Sequence, residues 1–304
     1  MNYTLHQLRV FMAVVETESI TKAAEKLHLT QPAVSIQIKK LQEQFDVALI
    51  EIIGKRLYIT DFGKEVAKTA VKILEDVELL RNKTLAFKGN LVGTLKIASA
   101  STGKYVMPYF LSEFLAEHPG IDLVMDVTNK RNVIKQLEKN EIDFALVSVL
   151  PALQDIKIVP LMDNHLYLVE QGSMAKKKRK EILHRALIYR EEGSATRAAM
   201  RKYYDEHPQE NRKIIELTSN EAVKQAVISG MGQSIMPLIG LRNELKDGDL
   251  TIVKAKDLPI TTQWHLVYLS QKELSPVATA YLNFLKDNKE DIIKNHFAWV
   301  ENFI

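Results

Sequence analysis

Two short clusters of hydroxyl side chains are the groups in this sequence best suited to binding a small anion. The first is SASTG, from Ser99 to Gly103, and the second is GSATR, from Gly193 to Arg197. Each follows a predicted strand and precedes a predicted helix, where free backbone N–H groups attract anions. Taken singly, each cluster is better explained by N-capping of its helix. Their equivalent positions in two predicted lobes favour a shared binding site.

The residues assigned to this anion site are Ser99, Ser101, Thr102, Ser194, Thr196 and Arg197, with Ser148 and Asn220 as further candidates. Across a cleft they would offer hydroxyls, N–H groups and a guanidinium. The sequence contains no nucleophile elbow, Walker lysine or G-x-G-x-x-G fingerprint. Its eight histidines lack metal-ligand spacing and it has no cysteine. We therefore predict no metal site, no cofactor and no enzymatic activity.

A second set of chemically useful residues lies in the segment TQPAVSIQIKKLQEQF, from Thr30 to Phe45. Its apolar residues recur at helical spacing, and its polar residues face outward. A helix over about residues 5–17, a second helix after Thr21 and a short turn precede it. Two short helices joined by a tight turn form the helix-turn-helix layout, whose second helix places side chains on base edges. Gln suits adenine, and Lys suits guanine or phosphate.

A hairpin after this helix decides between two interpretations of the segment. By itself, the segment fits an ordinary three-helix core with a solvated polar face equally well. Two short predicted strands, Ala48 to Ile52 and Leu57 to Ile59, flank the basic turn Gly54-Lys55-Arg56. Such a wing holds backbone phosphates. The combination favours DNA binding.

The order TKAAEKLHLTQPAVSIQIKKLQEQFDVALIEIIGKRLYITDFGKEV resembles the winged helix of the LysR-type transcriptional regulators, and the resemblance covers nearly the whole chain. Ile36 and Ile52 stand where many members carry Arg or another polar residue, so we expect Ile36 to meet a thymine methyl. REEGSATR and SIQIKKL most resemble the regulators of carbon-fixation and sulfite-reduction operons, whose effectors are small anionic metabolites. The resemblance implies DNA contacts from Thr21, Thr30, Gln31, Pro32, Ser35, Ile36, Gln37, Lys39, Lys40, Lys55 and Arg56.

The stretch after the wing predicts one long helix over 61–88. Its apolar residues alternate in steps of four and three, with Thr84 interrupting: Val66, Ala70, Ile73, Val77, Leu80 and Phe87. A single core-packed helix is the alternative, but a narrow seam with polar flanks favours a partner helix. In the LysR family the corresponding helix pairs with a second chain, which implies a homodimer or homotetramer. Residues 89–93 (GNLVG) are the predicted hinge.

Beyond the hinge, residues 94–304 alternate between strand and helix, which predicts a parallel sheet covered by helices. The chain crosses over near Pro160 to Val169 and starts a second unit. The fold class is therefore a multidomain α/β protein: a winged helix (1–60), a linker helix and a two-lobed domain resembling periplasmic binding proteins. Lobe I covers about 94–164 and 269–304, and lobe II about 165–268.

The amino-acid composition excludes some classes of protein but does not identify the function. The 304 residues are 46% apolar and 26% charged, with a net charge of +3, so the chain is ordered and only mildly basic. No apolar run approaches the roughly 18 residues that span a membrane, and no leader is visible. We expect a cytoplasmic location. The basic run Met174 to Lys180 is better explained as a solvated loop than as a nucleic-acid patch.

Two hypotheses follow from the sequence. The first is a ligand-responsive regulator that binds double-stranded promoter DNA and a small anion, with RNA polymerase as a further candidate partner. The second is an α/β binding protein or enzyme whose N-terminal helices serve only oligomerisation. The missing leader and the missing catalytic constellation argue against the second.

Overall fold

A computed structural model describes residues 2–54, 56–87, 91–173, 185–208 and 212–303. The chain forms two compact units, Met1–Gly89 and Asn90–Ile304. Each unit has hydrophobic cores of its own, so each is described by itself. Within the described ranges, no helix is both long and apolar enough to cross a membrane.

The N-terminal unit is a helical core followed by a hairpin and a long helix. The Thr30 side chain caps its helix by accepting from the Ala33 N–H, and Pro32 lies in the first turn of that helix. Phe11 and Leu41 are fully buried in the core. The elements are α1 (Leu5–Thr17), α2 (Ile20–Lys26), α3 (Gln31–Gln42), β1 (Ile50–Ile53), β2 (Arg56–Ile59) and α4 (Asp61–Phe87).

The C-terminal unit is the predicted alternation of strands and helices. Its first half contains β3 (Gly93–Ala100), α5 (Met107–Glu117), β4 (Ile121–Thr128), α6 (Lys130–Glu138), β5 (Phe144–Val147) and β6 (Ile156–Gln171). Its second half contains β7 (Leu187–Arg190), α7 (Ala195–Glu206), β8 (Ile214–Leu217), α8 (Asn220–Ile228), β9 (Ser234–Pro237), α9 (Arg242–Asp247), β10 (Leu250–Ile252), β11 (Ile260–Leu269) and α10 (Pro276–Phe297).

Two long antiparallel strands, β6 and β11, connect the halves of this unit. We call lobe I the part built on β3, β4 and β5, which are parallel, and lobe II the part built on β7 to β10. The first part of β6 pairs with β11, and its last residues pair with β9 and β10. His265, Leu266 and Val267 of β11 pair with β5 of lobe I. Pairing with lobe I therefore begins at His265, shortly before the boundary at about 268/269 that the sequence pattern indicates.

The C-terminal helix, α10, continues to Phe297, and a 3-10 segment follows, Ala298–Phe303. Phe297 lies in the core of lobe I and Val300 in the core of lobe II. The Tyr167 hydroxyl of lobe II donates to the Phe303 carbonyl at 2.5 Å. The tail therefore packs against both lobes.

Candidate functional site

The N-terminal unit carries the first candidate site, on the outward face of α3. Val34, Ile38 and Leu41 seat this helix on the core, so the positions between them point away from it. The residues there that are predicted to contact DNA are at least partly exposed: Thr21 on α2 and Thr30, Gln31, Pro32, Ser35, Gln37, Lys39 and Lys40 on or beside α3. A helix seated this way presents amide and cationic groups in the pattern that base edges and phosphates accept.

The wing adds a second edge to this surface. β1 and β2 pair antiparallel, with Ile53 opposite Arg56 beside the turn. Arg56 is exposed, whereas Lys55 lies outside the described residues. Ile36 on α3 and Ile52 on β1 are 51% and 64% exposed. Two large apolar side chains exposed on a polar face have to be covered by a partner to contribute free energy.

Half of the predicted linker seam contacts the core of its own unit. Ala70 is 1% exposed inside the core of its own unit, and Val66 and Ile73 pack against the same core. These three residues therefore pack on the core of their own unit, because α4 begins as a part of the winged-helix core. Leu80, one turn after Val77, is 67% exposed. The Phe87 side chain lies outside what the structure describes.

The second candidate site lies in the C-terminal unit, where strands of both lobes end. Ser101 follows β3, Ser148 follows β5, and the Ser101 hydroxyl donates to the Thr128 carbonyl at the end of β4 at 3.0 Å. In lobe II, Arg190 ends β7 and Asn220 starts the helix after β8. Carboxyl ends of parallel strands are where α/β folds place ligands.

Arg190 is the side chain that joins the two lobes in this cleft. It is 3% exposed, and its Nη2 donates to the Ser101 hydroxyl at 3.1 Å. Its Nε and Nη2 also donate to the two carboxylate oxygens of Glu191, at 2.7 and 2.9 Å. The sequence pattern does not single out Arg190, because it is the last residue of an otherwise apolar strand. The signal that could have found it is a charged residue in a strand whose other members are buried.

Arg197, the guanidinium predicted for the anion, has other partners. Its Nη1 donates to Glu216 and to the Arg190 carbonyl, both at 2.6 Å, and its Nη2 pairs with Glu192 at 2.8 Å. Burial works to lower the pKa of Arg197, but the bond with Glu216 and the charge of Glu192 outweigh it and raise that pKa. A cation already bound by two carboxylates is a poor anion receptor. Arg197 instead braces the end of β7.

The remaining predicted residues divide between the cleft and the interior. Ser99 is fully buried and its hydroxyl donates to the Ala100 carbonyl at 3.0 Å, so it supports the turn. A Cβ on Gly103 would lie 2.0 Å from that hydroxyl, which explains the glycine. The others are buried or half-buried beside the strand ends, with no side-chain hydrogen bond described for them: Thr102, Ser148, Ser194, Thr196 and Asn220. Ser194 precedes α7 without capping it, which leaves N–H groups of the first turn open.

Further contacts between the two lobes lie beside the Arg190–Ser101 hydrogen bond in sequence. Gly193 has a positive φ of +87°, and a Cβ there would lie 3.0 Å from the Arg131 Cβ of lobe I, so only glycine suits the approach. Tyr105 of lobe I lies 3.4 Å from the Glu221 carboxylate of lobe II, which Lys224 also binds at 3.1 Å. Burial works to raise the pKa of Glu221, but hydrogen bonds from Gln225 and Lys224 outweigh it and lower that pKa.

Comparison with known proteins decides which family has this arrangement. The model of the bacterial regulatory helix-turn-helix protein, lysR family, matches residues 5–64, and that of the LysR substrate binding domain matches residues 88–290. The chain belongs to the LysR family. It is a transcriptional regulator with a DNA-binding helix-turn-helix and an effector-binding domain, as the resemblance implied, and not an enzyme. Regulators of this family bind DNA and small-molecule effectors and form oligomers.

Carbon-fixation regulators are among the relatives that resemble this LysR-type chain. It is 37% identical over 290 residues to the RuBisCO operon transcriptional regulator of Allochromatium vinosum, covering 94% of this chain and 96% of that one. It is 35% identical over 296 residues to the transcriptional activator CmpR of Synechocystis, covering 96% and 97%. The solved CcmR regulatory domain of Synechocystis PCC6803, in complex with 2-PG, is 32% identical, with a TM-score of 0.60, covering 66% and 98%.

Proposed function

We propose that this regulator binds double-stranded promoter DNA through α3 and the wing, and that a small anionic metabolite between lobes I and II controls it. The observation that carries the proposal is the placement of Arg190. Its buried guanidinium, 3% exposed, reaches from lobe II to the Ser101 hydroxyl of lobe I at 3.1 Å. A ligand on this cation touches both lobes, and it can therefore favour one arrangement of the lobes over another.

The chemistry of the cleft favours a phosphate or a carboxylate. A guanidinium binds either group with two parallel hydrogen bonds. Hydroxyls of Ser101, Thr102 and Thr196 and the open N–H groups at the start of α7 would satisfy the remaining oxygens. The 2-PG bound by the CcmR regulatory domain, 2-phosphoglycolate, carries one phosphate and one carboxylate. We propose a metabolite of that class as the effector here.

On the DNA side, the exposed groups divide by chemistry. Gln31, Ser35 and Gln37 would contact base edges, and Ile36 would pack on a thymine methyl. The cations and hydroxyls would hold the backbone and set the register of α3: Thr21, Thr30, Lys39, Lys40, Lys55 and Arg56, with Pro32 shaping the first turn.

An oligomer completes the proposal. Two recognition helices on one dimer can contact two half-sites in successive major grooves. We propose that the part of α4 beyond the winged-helix core, with Val77 and Leu80, pairs with a second copy in a homodimer or homotetramer. RNA polymerase at the promoter is the proposed further partner, and the cytoplasm is the proposed location. The effector would change the spacing of the recognition helices and hence DNA bending.

The test is fluorescence anisotropy with the DNA upstream of the gene itself, scanned across salt, with and without 2-phosphoglycolate. We expect a steep salt dependence, a preference over scrambled DNA, and a change in affinity when the ligand is added. Arg190→Gln should abolish the change caused by the ligand and leave the sequence preference intact. A ligand response that survives in Arg190→Gln would overturn the cleft assignment, and equal affinity for scrambled DNA would overturn the DNA assignment.

A further inference from the structure

Glu191 is a half-buried carboxylate with no role in the function proposed above. Its two oxygens accept from Nε and Nη2 of Arg190, at 2.7 and 2.9 Å. This is the fork geometry with which a guanidinium binds a carboxylate or phosphate of a ligand. The edge of Arg190 that an effector would use is therefore already occupied by a carboxylate of the chain itself.

The two partners differ in burial. The Arg190 side chain is 3% exposed and that of Glu191 is 17% exposed. A cation as buried as Arg190 needs a counter-charge in every state of the protein. Glu191 lies nearer to water, and among the residues that the structure describes Arg190 is the one side chain that donates to its carboxylate. The carboxylate could therefore leave, provided that another anion replaced it.

The neighbouring residue shows that this arrangement is specific to one position. Glu192 follows directly, but its carboxylate pairs with Arg197 at 2.8 Å and lies 3.9 Å from Arg201. It is 61% exposed and makes no bond to Arg190 among the described contacts. Glu192 is thus a matched control, with the same charge one position away.

We propose that Glu191 is a built-in competitor of the effector: it holds the Arg190 fork in the empty cleft, and an effector binds by displacing it towards water. This inference rests on the proposed role of Arg190 as the anion receptor. Because the receptor is open for only a fraction of the time, the apparent affinity for any anion falls by that fraction. Abundant, weakly binding anions then do not displace Glu191 from Arg190. A ligand with a second charged group can displace it, because that group adds binding free energy.

The experiment is isothermal titration of the full-length protein with 2-phosphoglycolate and, separately, with inorganic phosphate, at one salt concentration. Removing the competing charge in Glu191→Gln should tighten binding of both probes about tenfold, equivalent to about 1.4 kcal/mol. Glu192→Gln should bind both as the wild type does, and Arg190→Gln should bind neither. Glu191→Ala gives a second measurement if the Gln variant folds poorly, and it should shift affinity in the same direction.

The outcomes separate the two proposals. Unchanged or weaker binding by Glu191→Gln, with binding abolished in Arg190→Gln, would overturn the competitor and leave the receptor in place. An equal gain in Glu192→Gln would also overturn it, because the effect would then be general electrostatics. Normal binding by Arg190→Gln, or no binding by either the wild type or Glu191→Gln, would overturn both proposals.

Discussion

The outward face of α3 and the cleft of the C-terminal unit use polar groups in opposite ways. On α3, Gln31 and Lys39 are exposed and stand above an apolar face that carries the packing. In the cleft, Arg190 is buried and bound to Glu191 and Ser101. Exposed groups on a rigid helix can be changed with little loss of stability. Buried charges cannot, because each change leaves a partner unpaired.

The largest effect is expected when a core side chain is removed from one of the two units. Phe11→Ala empties a fully buried site in the N-terminal core and should lower the free energy of unfolding by about 3–5 kcal/mol. DNA binding should be lost, while 2-phosphoglycolate still raises the melting temperature of the C-terminal unit. Phe110→Ala, fully buried in the other unit, should give the opposite pattern. Loss of both functions in each variant would contradict separate cores.

Gln31→Ala examines the exposed side of the comparison. Because Gln31 is exposed at the start of α3, the free energy of unfolding should change by no more than about 0.5 kcal/mol. Discrimination between operator and scrambled DNA should fall by about 1–3 kcal/mol. Anisotropy titrations on both DNAs measure this difference, and thermal melts supply the control. Unchanged discrimination would remove Gln31 from the base contacts.

Arg197→Ala examines the cleft, at a half-buried cation whose guanidinium is bound to the carboxylates of Glu192 and Glu216. It removes the bonds to Glu192, Glu216 and the Arg190 carbonyl and should lower stability by about 1–2 kcal/mol. Affinity for 2-phosphoglycolate should remain near that of the wild type, in contrast to Arg190→Gln. If titration finds the effector response lost in Arg197→Ala but kept in Arg190→Gln, the two arginines have been assigned the wrong way round.

The smallest effect is expected at the edge of the cleft, where Glu221 has a lowered pKa. Because its folded pKa lies below its ordinary value of 4.5, its contribution is present above that value and is lost as the pH falls through the folded pKa. Water screens this half-exposed group, so Glu221→Gln should cost about 0.5 kcal/mol or less at neutral pH. Thermal melts at successively lower pH should show the difference in stability between the wild type and Glu221→Gln disappear. A difference that stays constant with pH would mean that the charge of Glu221 plays no part.

Much of the fold was predictable because it depends on local patterns. α1 was predicted over about 5–17 and spans Leu5–Thr17, since helical spacing and caps are properties of neighbouring residues. The packing of Val66, Ala70 and Ile73 of α4 on their own core was not predicted, because periodicity locates an apolar face but not what covers it. The packing of the C-terminal tail could not be predicted, because its partners, such as Tyr167, are more than a hundred residues away in sequence.

The sequence by itself determined the family, the helix-turn-helix with its exposed polar residues, and the two hydroxyl clusters at strand ends. These features depend on the order of nearby residues, and physical chemistry acts on them locally. Only the tertiary structure decided which arginine forms a hydrogen bond from lobe II to lobe I. Arg190 and Ser101 are 89 positions apart, and the partners of Arg197 come from β8 and from the turn before α7. The role of a charge depends on its partners and its burial, and folding alone brings those partners together.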